Sequence, residues 1–306
     1  MMMPLLNELR ERLYKAVKRN MADGILLSGG LDSSILIALT PNIKGFVSSL
    51  GSEGSDLRYV DILSKSLNIE YYSKVFSSSE ALDSIPEVIR ILKTFDLALP
   101  NDIATWFGLK LAKEYGANRV MTGDGGDELF AGYRYMHNID LDDYIPKLIH
   151  TMQFSSNRLA QYLGIEIMQP YLDPEFIEFA IKIPQDLKIK DINGKRWGKW
   201  ILRKAFEDDL PKEIIWRDKT PLEYGSGTNK LRKIIESRIS DQKFKEKGKV
   251  YPIRFMNKEH LFYYEVYREE IGEIPKPKEG EDRCSSCGAG VQLRASHCQV
   301  CGSSPI

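Results

Sequence analysis

Ile25-Leu26-Leu27-Ser28-Gly29-Gly30-Leu31-Asp32-Ser33-Ser34 is the stretch on which the fold turns. Three apolar residues in a row read as a short buried strand, and the chain from Leu31 to about Leu39 reads as a helix. Between them, Ser28, Gly29 and Gly30 are small enough to let backbone N–H groups approach phosphate oxygens, and the helix behind offers its N-terminus to an anion. Leu27 ends the strand, and the hydroxyls of Ser28, Ser33 and Ser34 add donors. Asp32 would repel a bare phosphate, so its presence implies a bridging Mg²⁺. A plain strand–turn–helix joint with Ser and Asp as caps is the alternative. The Gly-Lys-Ser/Thr ending of a Walker A loop is absent.

Working outward, Leu5, Leu6, Leu9, Leu13 and Val17 recur at helical spacing, so residues 4–20 read as an amphipathic helix that Asp23-Gly24 breaks. Strands are expected at 45–50, 69–76 and 119–122, with helices at 56–67 and near 80–94 and 102–115. Strands alternating with helices predict an α/β fold with a doubly wound parallel sheet. Ligands bind such sheets at the carboxyl ends of the strands. Thr122-Gly123-Asp124-Gly125-Gly126-Asp127 follows a predicted strand just as Ser28-Gly29-Gly30 does, and the two segments are expected to flank a nucleotide. Beyond about residue 140 the pattern turns mostly helical, with stretches near 174–182, 196–207 and 228–240.

The 306 residues carry 43 basic and 43 acidic side chains. A balanced chain lacks the global positive field of a protein that grips a nucleic acid backbone, so no nucleic acid partner is expected. No run approaches the roughly 18 apolar residues a membrane span needs, and Met1 to Arg12 shows no leader, which points to the cytoplasm. All 4 cysteines lie in the tail, as Cys284-x2-Cys287-x10-Cys298-x2-Cys301. Gly288 and Gly302 follow the two pairs and allow tight knuckle turns, so four thiolates are expected to hold a structural Zn²⁺ in a reducing compartment. His297, beside Cys298, is the alternative ligand. Residues 272–283 are Pro-rich and charged and read as a linker between a domain at 1–271 and a zinc ribbon at 284–306. So short a ribbon cannot build a core, so the metal would supply its folding free energy.

Ser28-Gly29-Gly30-Leu31-Asp32-Ser33-Ser34, followed by Gly123-Asp124-Gly125-Gly126-Asp127-Glu128-Leu129-Phe130-Ala131-Gly132-Tyr133, resembles the synthetase domain of class B asparagine synthetases, which β-lactam synthetases share. The resemblance continues through Gly164-Ile165-Glu166, Pro170-Tyr171-Leu172-Asp173, Ile201-Leu202-Arg203 and Arg217-Asp218-Lys219, over roughly residues 5 to 230. It implies a PP-loop ATP pyrophosphatase fold and an AMP-forming carbon–nitrogen ligase. A carboxylate substrate attacks the α-phosphorus of ATP, pyrophosphate leaves, and an amine then displaces AMP. By the family pattern, Asp32 and Asp127 hold Mg²⁺, and Lys219 neutralises charge on the α-phosphate. Tyr133 and Glu166 match a Tyr–Glu pair that serves as base in the β-lactam branch.

Three departures bear on the substrate. No glutaminase domain with an N-terminal cysteine precedes Met1, so the nitrogen is expected from free ammonia, another amine, or a separate amidotransferase or carrier protein. Met168 and Asn101 stand where the family pattern has arginines, one of which helps hold aspartate. A site that reads two carboxylates needs such guanidinium forks. Aspartate is therefore the family default as acceptor. A PP-loop enzyme that activates a tRNA base with ATP is the competing reading. Such enzymes usually place cysteines near the ATP site, and residues 1–283 contain none.

Overall fold

The computed structural model describes residues 2–293, 295 and 297–304. Position 1 of the expected ligase domain and positions 294, 296, 305 and 306 of the expected ribbon lie outside the described residues. β1 (Gly24–Leu26), β2 (Lys44–Leu50), β3 (Tyr71–Phe76), β4 (Arg119–Met121) and β5 (Glu166–Met168) form one sheet in the order β3-β2-β1-β4-β5, with every neighbouring pair parallel. The helices α1 (Met2–Arg19), α2 (Leu31–Ala38), α3 (Asp56–Leu67), α4 (Ser78–Leu92) and α5 (Leu99–Glu114) alternate with the first four strands. This is the doubly wound parallel sheet that the sequence predicts.

Alternation along β1 explains why helices cover both faces. Ile25 and Leu27 point into one buried cluster, with Leu9 and Leu13 of α1, Ile35 of α2 and Val60 of α3. Leu26 packs against the other, with Ile85 of α4 and Ile103 of α5. Phe46 and Val47 of β2, and Val120 and Met121 of β4, divide between the clusters in the same way. A strand buried on both sides needs an unbroken apolar run, which is what the sequence holds there.

The chain winds from β1 out to β3, then crosses back to place β4 on the other side of β1. The carboxyl ends of β1 and β4 therefore form the switch point at which such sheets open a crevice.

After β4 come α6 (Gly126–Leu129), α7 (Leu141–Thr151), α8 (Ser155–Tyr162), α9 (Pro174–Ile181) and α10 (Gln185–Lys188). β6 (Lys190–Ile192) and β7 (Lys195–Trp197) follow as a hairpin, then α11 (Trp200–Ala205), α12 (Lys212–Ile215), α13 (Leu222–Gly225), α14 (Leu231–Ser237), α15 (Asp241–Val250) and α16 (Lys258–Glu270). The stretch 196–207, expected to be helical throughout, begins instead in β7. Asn193 and Gly194 both adopt positive φ, 53° and 78°, the pair of left-handed residues that a two-residue hairpin favours.

The stretch 272–283, expected to be a linker, ends in β8 (Glu281–Arg283), which pairs with β9 (Gly290–Gln292) to begin the ribbon. The ribbon packs into the body. Its four cysteines share a buried cluster with Leu92, Phe95, Tyr264 and Tyr267. The Val300 carbonyl accepts from Phe95 N at 2.8 Å and from Thr94 Oγ1 at 3.1 Å.

Candidate active site

The loop after β1 folds tightly on itself. Gly30 N donates to Ser28 Oγ at 3.3 Å, and Ser33 Oγ lies 3.5 Å from Ser28 Oγ. Gly29 has φ +59°, and a Cβ there would lie 2.4 Å from Tyr59 Cβ, so both backbone and packing require glycine. Ser34 Oγ is buried without a hydrogen-bond partner among the described residues.

The loop after β4 lies alongside, and the two aspartates meet between them. Lys199 joins them. Its Nζ contacts Asp32 Oδ2 and lies 2.6 Å from Asp127 Oδ1, while Lys219 Nζ reaches Asp127 Oδ2 at 2.5 Å. Gly132 makes room for this cluster, since a Cβ there would fall 1.8 Å from Asp127 Oδ1 and 2.4 Å from Lys199 Cε.

Burial works against ionisation at both carboxyls. At Asp32 it wins and raises the pKa; at Asp127 the combined pull of Lys199 and Lys219 lowers it. Asp32 Oδ1 has no hydrogen-bond partner among the described residues, and Asp127 Oδ1 meets Lys199 without hydrogen-bond alignment. Two buried carboxylates with spare oxygens, already drawn together by an ammonium, suit a hard divalent cation.

Lys199 escaped the sequence reading, although Gly198-Lys199 directly precedes the Trp200-Ile201-Leu202-Arg203 segment. It sits in the left-handed region at φ +56°, an unusual place for a side chain of this size and a strain that a rigid surrounding must hold. Part of that surrounding is Arg203, buried at 5% exposure, which donates to the carbonyls of Gly198 at 3.1 Å and Arg217 at 3.2 Å and also to that of Ile215.

Arg217 ties the strap bearing Lys219 to the first loop. It donates to the Ser28 carbonyl at 3.0 Å and to Asp56 Oδ1 at 2.8 Å, with its guanidinium 3.8 Å from the Tyr59 ring centroid. Burial pushes Asp56 up to about 6 despite Arg217. The folded protein then holds this proton more tightly than the unfolded chain between about pH 4 and about pH 6, so stability falls as pH rises across that window. Urea unfolding should show wild type losing up to about 3 kcal/mol relative to Asp56→Asn between pH 4 and pH 7. Parallel profiles for the two proteins would contradict this.

Two cavities meet at the aspartates. One, of about 210 Å³, is lined by Leu26, Leu27, Ser33, Ser48, Thr122, Gly123 and Asp124. The other, of about 460 Å³, carries Arg134, Lys195, Arg196, Lys199, Arg203 and Arg217 against Asp56 and Asp218. Ser28, Asp32 and Lys219 border both, Gly30 borders the larger, and Asp127 the smaller. Leu27, Ser28, Asp32, Ser33, Thr122, Gly123, Asp124, Asp127 and Lys219 thus border the smaller cavity and Gly30 the larger, whereas Gly29 packs on Tyr59 and Ser34 is buried and lines neither.

Tyr133 and Glu166 are not brought to each other, although the Tyr133 ring lies 5.3 Å from Lys219 Nζ. The Tyr133 hydroxyl donates to Glu128 Oε1 at 2.9 Å and not to Glu166, and burial together with Asp127 and Glu128 drives its pKa far upward. Glu166 opens β5 at the amino edge of the sheet, away from the crevice, and pairs with Arg119 at 3.2 Å with 66% of its side chain exposed. Asn101 and Met168 also have other work. Asn101 Oδ1 accepts from Glu223 N at 2.8 Å, which fixes the start of α13, and Met168 is buried with its sulfur 3.4 Å from Arg119 Nη2.

In the ribbon, the sulfurs of Cys284, Cys287, Cys298 and Cys301 all lie within 4.8 Å of one another and are buried. The Cys284–Cys301 and Cys287–Cys298 separations are both 3.7 Å. A tetrahedron of zinc–sulfur bonds of about 2.3 Å has edges of about 3.8 Å, so the cluster fits zinc.

The sequence profile of the asparagine synthase family matches residues 8–156 and 139–273. The chain belongs to the asparagine synthase family. It is 29% identical over 309 residues to the glutamine-hydrolyzing asparagine synthetase B of Escherichia coli, covering 89% of this chain and 55% of that protein. It is 30% identical over 287 residues to the glutamine-hydrolyzing asparagine synthetase of Triphysaria versicolor, covering 83% and 49%. The chain thus spans about half the length of the asparagine synthetases it matches. A solved structure of a U34-tRNA thiolase from Methanococcus maripaludis overlaps 94% of this chain and 85% of that one, at 13% identity and a TM-score of 0.34, too weak a likeness to bear on function. Among the described residues, no helix of this asparagine synthase family member is long and apolar enough to cross a membrane.

Proposed function

We propose that the chain is an ATP-dependent ligase that joins a carboxylate to an amine and releases AMP and pyrophosphate. The observation that carries this reading is the cluster Asp32–Lys199–Asp127–Lys219, set between two glycine loops at the switch point of the sheet. The smaller cavity suits the nucleoside, and the cationic one suits the phosphates. Asp32 and Asp127 would hold Mg²⁺, which when bound offsets charge on the triphosphate.

A substrate carboxylate oxygen attacks the α-phosphorus, and the bond to the bridging oxygen breaks with its electron pair leaving on pyrophosphate. Lys199 and Lys219 are aimed where that charge develops. The amine nitrogen then adds to the acyl carbon, and the carbon–oxygen bond breaks with its pair leaving on AMP. We assign the nitrogen's proton to Asp124 Oδ1. Oδ2 of the same carboxylate already accepts from Thr122 at 2.7 Å, Ser156 at 2.7 Å and Gln169 at 2.9 Å, which fixes its aim. This gives the base role to Asp124 in place of the Tyr133–Glu166 pair.

Aspartate is the family default for the carboxylate. The ribbon is proposed to hold structural Zn²⁺, and four buried free thiols suit the cytoplasm.

ATP–pyrophosphate exchange across a panel of carboxylic acids tests the proposal. Exchange should respond to one acid, ATP should yield AMP, and Asp32→Ala and Lys219→Ala should each lose at least about a hundredfold in rate. ADP as product would refute the reading, and exchange that responds to transfer RNA instead would favour a tRNA-modifying enzyme.

A further inference from the structure

A third cavity, of about 560 Å³, lies between the ribbon and the start of α5. We propose that it binds the amine substrate, and that this amine is an aliphatic diamine whose second, cationic nitrogen sits at Asp96 and Asp102. The proposal rests on the ligase reading and names the substrate class that the reading leaves open.

The charge in the cavity comes first. Asp102 is only 8% exposed and lines the cavity beside Ser155. Asp96 lies nearby, with Oδ1 accepting from Ala98 N at 3.0 Å. The guanidinium facing Asp102 is that of Arg158, which already donates to the Ile91 carbonyl at 2.8 Å, and His297 of the ribbon faces Asp96. With both carboxyls ionised, two carboxylates face one guanidinium, and one ammonium completes the balance. Burial pushes Asp102 up to about 7 against the pull of Arg158, and an ammonium seated beside it would draw it back toward the charged form.

The shape comes next. Leu92, Ile149, Met152, Phe154 and Leu172 give the cavity an apolar wall. Ammonia, about the size of a water molecule with its share of roughly 30 Å³, would leave most of such a space unfilled. A short hydrocarbon chain lies well along such a wall.

The position decides the role. Gln169 lines this cavity, and its Nε2 holds Asp124, which lines the nucleotide cavity. Consecutive residues at the start of α8 divide between the two cavities: Ser155 lines the one with Asp102, and Ser156 donates to Asp124 in the other. We place the anchored end of the amine at Asp102 and its free nitrogen on the Gln169 side, toward Asp124, which takes the proton as that nitrogen attacks the acyl carbon and AMP leaves.

Titration calorimetry on the full chain with cadaverine as probe, alongside ATP binding by the same preparation, tests this. Cadaverine should bind, and Asp102→Asn should weaken it at least tenfold with ATP affinity unchanged. Gln153→Lys carries an ammonium into the same cavity from an exposed position and should abolish cadaverine binding even if the first variant folds poorly. Wild type that binds ATP but not millimolar cadaverine would overturn the inference and leave the ligase reading standing. So would cadaverine binding unaltered in the variants, or displaced by equimolar ammonium. Failure to bind ATP would remove the ligase reading itself.

Discussion

Lys199→Ala is expected to abolish ATP–pyrophosphate exchange and to unfold at lower temperature than wild type. The side chain bridges two buried carboxylates, and removing one partner from such a set costs on the order of 3–5 kcal/mol because the remaining charges have no solvent to turn to. Donors aimed at developing charge contribute a factor of about 10²–10³ in rate each. The two effects separate with Mg²⁺. A divalent cation can take over the bridging of Asp32 and Asp127, so millimolar Mg²⁺ should restore much of the lost melting temperature. It should restore little of the exchange, because the ammonium facing the phosphates is still missing. Normal exchange in this variant would remove Lys199 from the chemistry.

The second large effect concerns the zinc proposed for the ribbon. Cys287→Ser, or a strong chelator, should lower the melting temperature by on the order of 10 °C, read by scanning calorimetry with zinc content measured alongside. The penalty reaches beyond the ribbon. The Val300 carbonyl holds Thr94 and Phe95, and the Phe95 ring packs at 5.3 Å from His260, 5.1 Å from Tyr264 and 5.2 Å from Tyr267. Loss of the thiolate cluster therefore undermines the turn into α5 and the aromatic seam of α16. A melting curve that does not shift would mean that the ribbon holds together without metal.

The parts of the molecule that were legible in its sequence are those where one local cause dominates. Ile25-Leu26-Leu27 had to be a buried strand, Ser28-Gly29-Gly30 a tight turn, and the four cysteines a close cluster. β5 was not legible, because Glu166-Ile167-Met168 is too short for periodicity and becomes a strand only by pairing with β4. The hairpin of β6 and β7 left a signal, Asn193-Gly194, that lay beside a helical pattern and lost to it. Lys199 is harder: its importance comes from two aspartates 167 and 72 residues away in the chain, and nothing local marks it. Tyr133 and Glu166 failed for the opposite reason. Each matched a pattern position, but Glu128 lies closer to the phenol and Arg119 closer to the carboxylate.

The resting charge cluster also determines what happens when nucleotide arrives. Two aspartates and two lysines offset one another within the cluster, and the arginines around it leave the larger cavity net positive. Magnesium–ATP brings a cation that suits the aspartates and phosphates that suit the lysines. Each group can then trade its companion for a new one, and no step of docking strands a bare charge. Entry becomes a change of dance partners among ions already in place, and the departure of pyrophosphate and metal runs the same exchange in reverse.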